Sequence, residues 1–245
     1  MKSGRCVVIT GAAGGMGALF VERFLDNGDT VIATDASEDA LAALKAERDA
    51  DALHVVLGDV TRDEDCKAVA RHAGKMAGRI DVLVNAAGYF PVQAFEAMSD
   101  AYWRRIVDIN LTGVALMTQA ALPLMKGRGW GRIVNIGSAS IYHGVPAQAP
   151  YVAAKAGVVG LTRTLAREFG HEGITVNIVA PGLTITPAAE KGLPKELRDS
   201  QIAARCLKRE QKPEDVVGPT FFLASPDANF ITGQTIIVDG GIFMI

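Results

Sequence analysis

Cysteine is scarce, and its spacing is not that of a disulfide framework: Cys6, Cys66 and Cys206 are odd in number and far apart in the 245-residue chain. They read as reduced thiols serving as packing residues, which fits a cytoplasmic protein. His54, His72, His143 and His171 show no metal-ligand spacing with one another or with the cysteines, so no metal site is expected. An excess of one charge is also missing. The 25 basic and 27 acidic side chains nearly cancel, which leaves no broad field to gather nucleic acid or an anionic membrane. Long apolar runs are lacking as well. The start offers only Lys2 and Arg5 before a short apolar run ending at Gly11, too brief for a signal peptide or a span, and no later stretch reads as reaching spanning length. Repeats, low-complexity segments and linkers are absent. A single domain over 1–245 with a small-molecule partner is the expectation that remains.

What the sequence does contain is alternation. With 49% hydrophobic residues the chain can fill a sizeable core. Short β-rich runs near 5–10, 30–34, 53–57, 81–84, 131–137, 174–179 and 234–238 are separated by helical patterns near 15–27, 38–48, 62–76, 100–125, 151–169 and 214–224. That pattern predicts an α/β, Rossmann-type doubly wound sheet of about seven parallel strands with helices on both faces. One irregular stretch, about 183–212, is broken by Pro187 and Pro194 and has a helical piece near 195–206; it reads as a lid over a substrate.

The first strand runs into a glycine-rich turn at Gly11, Gly14, Gly15 and Gly17, with Met16 leading into a helix. Glycines let a backbone approach a pyrophosphate whose charge meets N–H groups at the helix N-terminus. The second strand ends at Asp35, 18 residues after Gly17, where a carboxylate can accept both ribose hydroxyls. A 2′-phosphate there would be repelled, and Ala12, Ala13, Gly14, Ala36 and Ser37 supply no basic partner, so NAD is expected over NADP. Asp59 and Val60 after the third strand are expected at the adenine edge, and Asn85, Ala86 and Gly88 after the fourth permit close approach of the cofactor.

Tyr151 and Lys155 lie one helical turn apart, so an ammonium is placed to favour the phenolate of its neighbour. Ser138 closes the fifth strand, 13 residues before Tyr151, where its hydroxyl can bond a substrate oxygen. Asn110 falls on the apolar stripe of its helix, where a buried amide needs partners and serves either to cap a kink or to hold a water. Tyr89, Phe90, Ser140, Tyr142, His143 and Gln148 are the candidate substrate-side residues, with Leu183 at the edge of the lid.

These residues together resemble the short-chain dehydrogenase/reductase family along essentially the whole chain. The likeness rests on T-G-x-x-x-G-x-G at Thr10 to Gly17, N-A-A-G at Asn85 to Gly88, Asn110, Ser138, Y-x-x-x-K at Tyr151 to Lys155, P-G at Pro181-Gly182, and the closing segment Ile231 to Gly241. The resemblance implies that Tyr151 is the general acid/base, that Lys155 lowers its pKa and bonds the nicotinamide ribose, that Ser138 orients the substrate oxygen, and that Asn110 holds a relay water. It further implies that Pro181, Gly182, Leu183 and Thr184 or Thr186 face the carboxamide, and that a homotetramer forms through the helices near 100–125 and 151–169 and the C-terminal strand. Ala86 departs from the family's frequent second Asn.

The leading expectation is an NAD-dependent oxidoreductase for a small secondary alcohol or ketone, cyclic or aromatic in type. The alternative is a 3-oxoacyl-[acyl-carrier-protein] reductase using NADPH. Asp35 speaks against it, as do Gly129 and Glu172, where the resemblance leads one to expect basic residues at the active-site mouth despite Lys126, Arg128 and Arg132 nearby. A catalytically silent NAD sensor is the third reading; it has no need of a tuned phenol.

Overall fold

A computed structural model describes residues 4–48, 50–186 and 194–244. Seven strands form one sheet: β1 (Cys6–Thr10), β2 (Thr30–Asp35), β3 (Leu53–Leu57), β4 (Val82–Asn85), β5 (Gly131–Ile136), β6 (Ile174–Pro181) and β7 (Thr235–Val238). All are parallel, in the order β3-β2-β1-β4-β5-β6-β7. The order reverses between β1 and β4, and in such sheets the crevice beyond the carboxyl ends at that point receives the ligand.

Alternation along the strands sends side chains to two cores. Val7, Ile9, Val31, Ala33, Val82 and Val84 pack with Phe20 and Phe24 of α1 (Gly17–Asp26) and with Val216 and Leu223 of a late helix. Cys6, Val8, Ile32, Leu83 and Ile133 face the other way, onto Cys66, Val69 and Ala73 of α3 (Asp63–Ala77) and Met117, Ala121 and Met125 of α5 (Gly113–Met125). Each large apolar side chain so buried contributes roughly 1.5–3 kcal/mol. The remaining helices are α2 (Glu38–Glu47), α4 (Asp100–Val107), α6 (Ala149–Phe169), α7 (Lys195–Ala204) and α8 (Glu214–Leu223). Ser37 and Ser99 cap α2 and α4 through bonds from Ala40 N and Tyr102 N, and Pro150 sits in the first turn of α6, where its missing N–H costs nothing.

Two expectations need correction. The helix 100–125 is interrupted by a π-turn at Asp108–Thr112, yet it is continuous over Asp100–Met125 and is, by length and composition, long and apolar enough to cross a membrane. Its apolarity has a local explanation, because Ile106, Val114, Met117, Ala121 and Met125 are buried in the protein. Of the thiols, Cys6 and Cys66 are buried as expected, but Cys206 is exposed and bonds the carbonyl of Gly241. The helical piece near 195–206 is α7, while 187–193 of the expected lid, Pro187 included, lie outside the described residues.

Candidate active site

The glycine turn is shaped by close backbone approach. Gly11 has φ +62°, and a Cβ on it would lie 2.7 Å from the Cα of Ala87; a Cβ on Gly17 would lie 2.1 Å from the carbonyl oxygen of Gly11. Only glycine fits either place. The Thr10 hydroxyl accepts from Ala86 N and Ala87 N, both at 3.1 Å, tying the ends of β1 and β4 together at the sheet's reversal. α1 begins with no side-chain cap and no acid in its first turn, so its N-terminal dipole is left to an anion, and Met16 packs against the core beneath. This cradle fits a pyrophosphate.

Asp35 ends β2 and accepts from Ala13 N and Ser37 N, each at 3.2 Å, which holds its carboxylate on the rim of the turn. Gly58 N donates to Asp35 O, bringing the next strand end alongside. There Asp59 accepts from the Thr61 amide and hydroxyl at 2.9 and 2.8 Å, and Val60 packs against Gly113. Asn85 does not face the crevice. Its amide points into the core, donating to Thr118 and Asn135, while Asn135 donates to Thr162, a polar rung that ties β4 and β5 to α5 and α6.

Gly88 is different: a Cβ there would lie 3.2 Å from Asn110 Oδ1 and 3.8 Å from Lys155 Nζ, so the chain passes directly over both side chains. Asn110 sits within the π-turn, fully buried. Its Nδ2 donates to Tyr89 O at 2.7 Å and Ile106 O at 2.9 Å, and its Oδ1 accepts from Tyr89 N at 3.3 Å. The amide thus fastens the loop after β4 to the helix break, and π-turns of this kind recur where a helix serves a site.

Ser138 follows β5. Its hydroxyl donates to Ser140 Oγ at 2.9 Å, accepts from Ser140 N, and lies near enough to the Tyr151 hydroxyl to act on its pKa. Burial raises the Tyr151 phenol above its ordinary value, and the Ser138 hydroxyl works against that rise. Lys155 is buried; it donates to Ile136 O at 2.7 Å, stands 5.8 Å from the centre of the Tyr151 ring, and is pushed down to about 8 by loss of solvent. The expected depression of the phenol by its ammonium neighbour is not what the structure gives: burial raises the phenol, and the group that opposes the rise is the Ser138 hydroxyl, not Lys155. Ser138, Tyr151, Lys155 and Asn110 nevertheless converge on one spot at the carboxyl edge of the sheet.

Pro181 ends β6 opposite Val238, and Gly182 N donates to Val238 O at 2.8 Å. Leu183 O accepts from Arg205 at 2.7 Å, Thr184 Oγ1 bonds Gly182 O and its backbone pairs with Gln211, and Thr186 closes the described part of this segment. On the substrate side, Phe90 lies 6.1 Å from the Tyr151 ring and Gln148 Nε2 donates to Phe90 O at 3.2 Å. Tyr89 is exposed beneath the Arg105 guanidinium. Three contributors were missed from the sequence. Phe243 stacks on His143 at 4.8 Å and lies 6.1 Å from Tyr142, Asp239 holds the turn that brings it there, and Arg205 ties Leu183 to Asp239. Their motif-poor surroundings carried no local signal.

Gly129 and Glu172 precede β5 and β6, at the amino edge of the sheet opposite Tyr151, where Glu172 accepts from Gly127 N and pairs with Lys126. Within the single chain they lie at the opposite edge of the sheet from Tyr151.

Comparison with known proteins agrees with the fold. A family model described as enoyl-(acyl carrier protein) reductase matches residues 11–243. The 3-oxoacyl-[acyl-carrier-protein] reductase of Thermotoga maritima is 39% identical over 98% of both chains. The cis-4-hydroxycyclohexanecarboxylate dehydrogenase of Sinomonas cyclohexanicum is 39% identical over 97% of this chain and 96% of its own. A crystal structure from Brucella melitensis, described as a short-chain dehydrogenase/reductase of glucose/ribitol dehydrogenase type, superposes with a TM-score of 0.93 at 36% identity, covering 99% of this chain and 98% of that one. The chain belongs to the short-chain dehydrogenase/reductase family: it is an oxidoreductase acting on CH–OH or ketone groups with a nicotinamide cofactor.

Proposed function

We propose that this protein is an NAD-dependent dehydrogenase for a small secondary alcohol, cyclic or aromatic in type. The observation that carries the reading is the convergence of Ser138, Tyr151, Lys155 and Asn110 beyond the glycine cradle. A nicotinamide bound there supplies the hydride acceptor. In oxidation the substrate C–H bond breaks with its electron pair, the C=O bond forms, and the hydroxyl proton passes to the oxygen of Tyr151, which enters the step as the phenolate after its own proton has left through the relay water. Ser138 orients the substrate oxygen, Lys155 places positive charge beneath the phenol, and Asn110 keeps the Gly88–Tyr89 backbone in place and positions a relay water. Gly11, Gly15, Met16, Gly17, Asp35, Asp59, Val60, Ala86, Gly88 and the Pro181–Thr186 segment hold the cofactor, while the 183–212 segment forms the lid. Cytoplasmic residence and a homotetramer built through α5, α6 and β7 belong to the same proposal.

Tyr151→Phe tests the chemistry. Turnover should fall about a thousandfold while NAD affinity, measured by calorimetry, stays within about twofold. Unchanged turnover would point to a site elsewhere, and a chain with no turnover to lose would fit the NAD sensor. Asp35 supports NAD, since among the described residues its carboxylate accepts from backbone N–H groups and from no cation, and would repel a 2′-phosphate. The native chain should favour NAD in kcat/KM, and Asp35→Ala with Ala36→Arg should move the preference toward NADP; a native preference for NADP would refute this assignment. The second reading, a 3-oxoacyl-[acyl-carrier-protein] reductase using NADPH, is favoured by the end-to-end similarity to the Thermotoga maritima protein. A screen of secondary alcohols and 3-oxoacyl thioesters with both cofactors decides between them.

A further inference from the structure

Aromatic side chains are sparse here, 9 Phe, 4 Tyr and 2 Trp in 245 residues, so their placement is informative. Phe20 and Phe24 fill the core. Phe90 instead lies beside Tyr151, and Phe243 lies against Tyr142 and His143 in the segment that follows Ser138. Phe90 stays 55% exposed although its ring is beside the Tyr151 ring, so an apolar face is left open next to the reacting hydroxyl.

Phe243 arrives from beyond the last strand. The Asp239 carboxylate accepts from the backbone N–H of Gly241, Ile242 and Phe243 at 2.8, 3.1 and 2.9 Å, and Gly240 and Gly241 take φ of +74° and +84°, which a side chain would resist. This turn lays the Phe243 ring on His143 at an interplanar angle of 21°. Two backbone-directed bonds, Gln148 Nε2 to Phe90 O and Gln93 N to Ala147 O, join the loop carrying Phe90 to the loop that leads from His143 to α6. The loop carrying Phe90 is thereby held against the loop that leads on from the His143–Phe243 stack, and such preorganised backbone is what a rigid, ring-shaped partner requires.

We infer that Phe243 is a specificity-determining residue, and that with Phe90 and His143 it selects alcohols whose hydroxyl is borne on a ring over open-chain alcohols of similar size. The inference rests on the dehydrogenase reading for its substrate class. Its test does not require turnover. Full-length protein loaded with NADH, which cannot oxidise an alcohol, is titrated calorimetrically with cyclohexanol and with 2-hexanol. The native chain should bind cyclohexanol about tenfold more tightly than 2-hexanol, the scale of one good ring contact. Phe243→Leu, which keeps the bulk without the ring, should erase that ratio, and Phe243→Tyr should keep it. A native chain without the preference, or a Phe243→Leu chain that retains it, overturns the inference. The dehydrogenase reading fails separately, if the native chain oxidises no secondary alcohol with NAD while reducing a 3-oxoacyl thioester.

Discussion

Lys155 is a cation enclosed by protein, with one carbonyl as its hydrogen-bond partner and the Tyr151 ring nearby. Its pKa of about 8, set against 10.5 for an exposed lysine, means that the folded state pays for keeping the charge at neutral pH. Below about 8 both folded and unfolded chains are protonated and the penalty is present in full. Between about 8 and 10.5 the unfolded chain binds more protons, so stability rises with pH until the penalty is gone. Lys155→Met should therefore stabilise the chain at pH 7 by up to about 3 kcal/mol, with the gain shrinking as pH climbs past 8. Urea unfolding of both proteins between pH 6 and 10 measures it, and a gain independent of pH would show that the charge is not its source. Such a stabilised variant should turn over poorly, since the site keeps a costly charge for what it does beneath the phenol.

At the scale of elements, the passage from β1 to α1 depends on two glycines for different reasons. Gly11 needs both its positive φ and room beside the Ala87 backbone, whereas Gly17 needs room alone: its Cβ would strike the backbone of Gly11 and Ala12 at 2.1 and 2.8 Å, and no side chain there can swing aside. Gly17→Ala should cost about 3 kcal/mol and weaken NAD binding more than a hundredfold, because the turn itself must move. Gly14→Ala meets only Gly11 O, at 3.3 Å, and should cost less than about 1 kcal/mol. Denaturation midpoints and calorimetric NAD affinities check both, and equal effects would contradict the steric account. This turn, the strand ends at Asp35 and Asn85 and the Tyr151–Lys155 helix face were legible in the sequence, because each is a local pattern with its own spacing. The π-turn at Asn110 was legible only as a kink left open beside a water-holding role, since the register of a helix break is set by packing and not by composition. The inward turn of the Asn85 amide was not legible, being set by Thr118 and Asn135 across the sheet. The upward shift of Tyr151 also escaped, since burial belongs to the assembled fold and not to a five-residue motif.

In the molecule as a whole, the carboxyl edge of the sheet must hold together segments far apart in sequence, and Arg205 does this for the β6–β7 side. Only 3% exposed, it donates to Leu183 O at 2.7 Å after β6, Asp239 O at 3.2 Å after β7, and Arg209 O at 3.0 Å before α8. Burial lowers its pKa, with Asp239 pulling the other way, yet a guanidinium stays charged at any working pH. Arg205→Met keeps much of the volume and strips three carbonyls of their donor, at a cost of about 3 kcal/mol. The three acceptors of Arg205 all lie on the β6–β7 side, so the loss should be local. Amide hydrogen exchange should quicken over 182–185 and 239–243 and stay slow in Val7–Ile9 and Val31–Ala33. Since the same carbonyls anchor the segment assigned to the nicotinamide end, KM for NAD should rise about tenfold while kcat at saturating cofactor changes less than threefold. Uniformly faster exchange across all seven strands would mean that Arg205 supports the entire sheet and that the two sides of the crevice unfold as one unit.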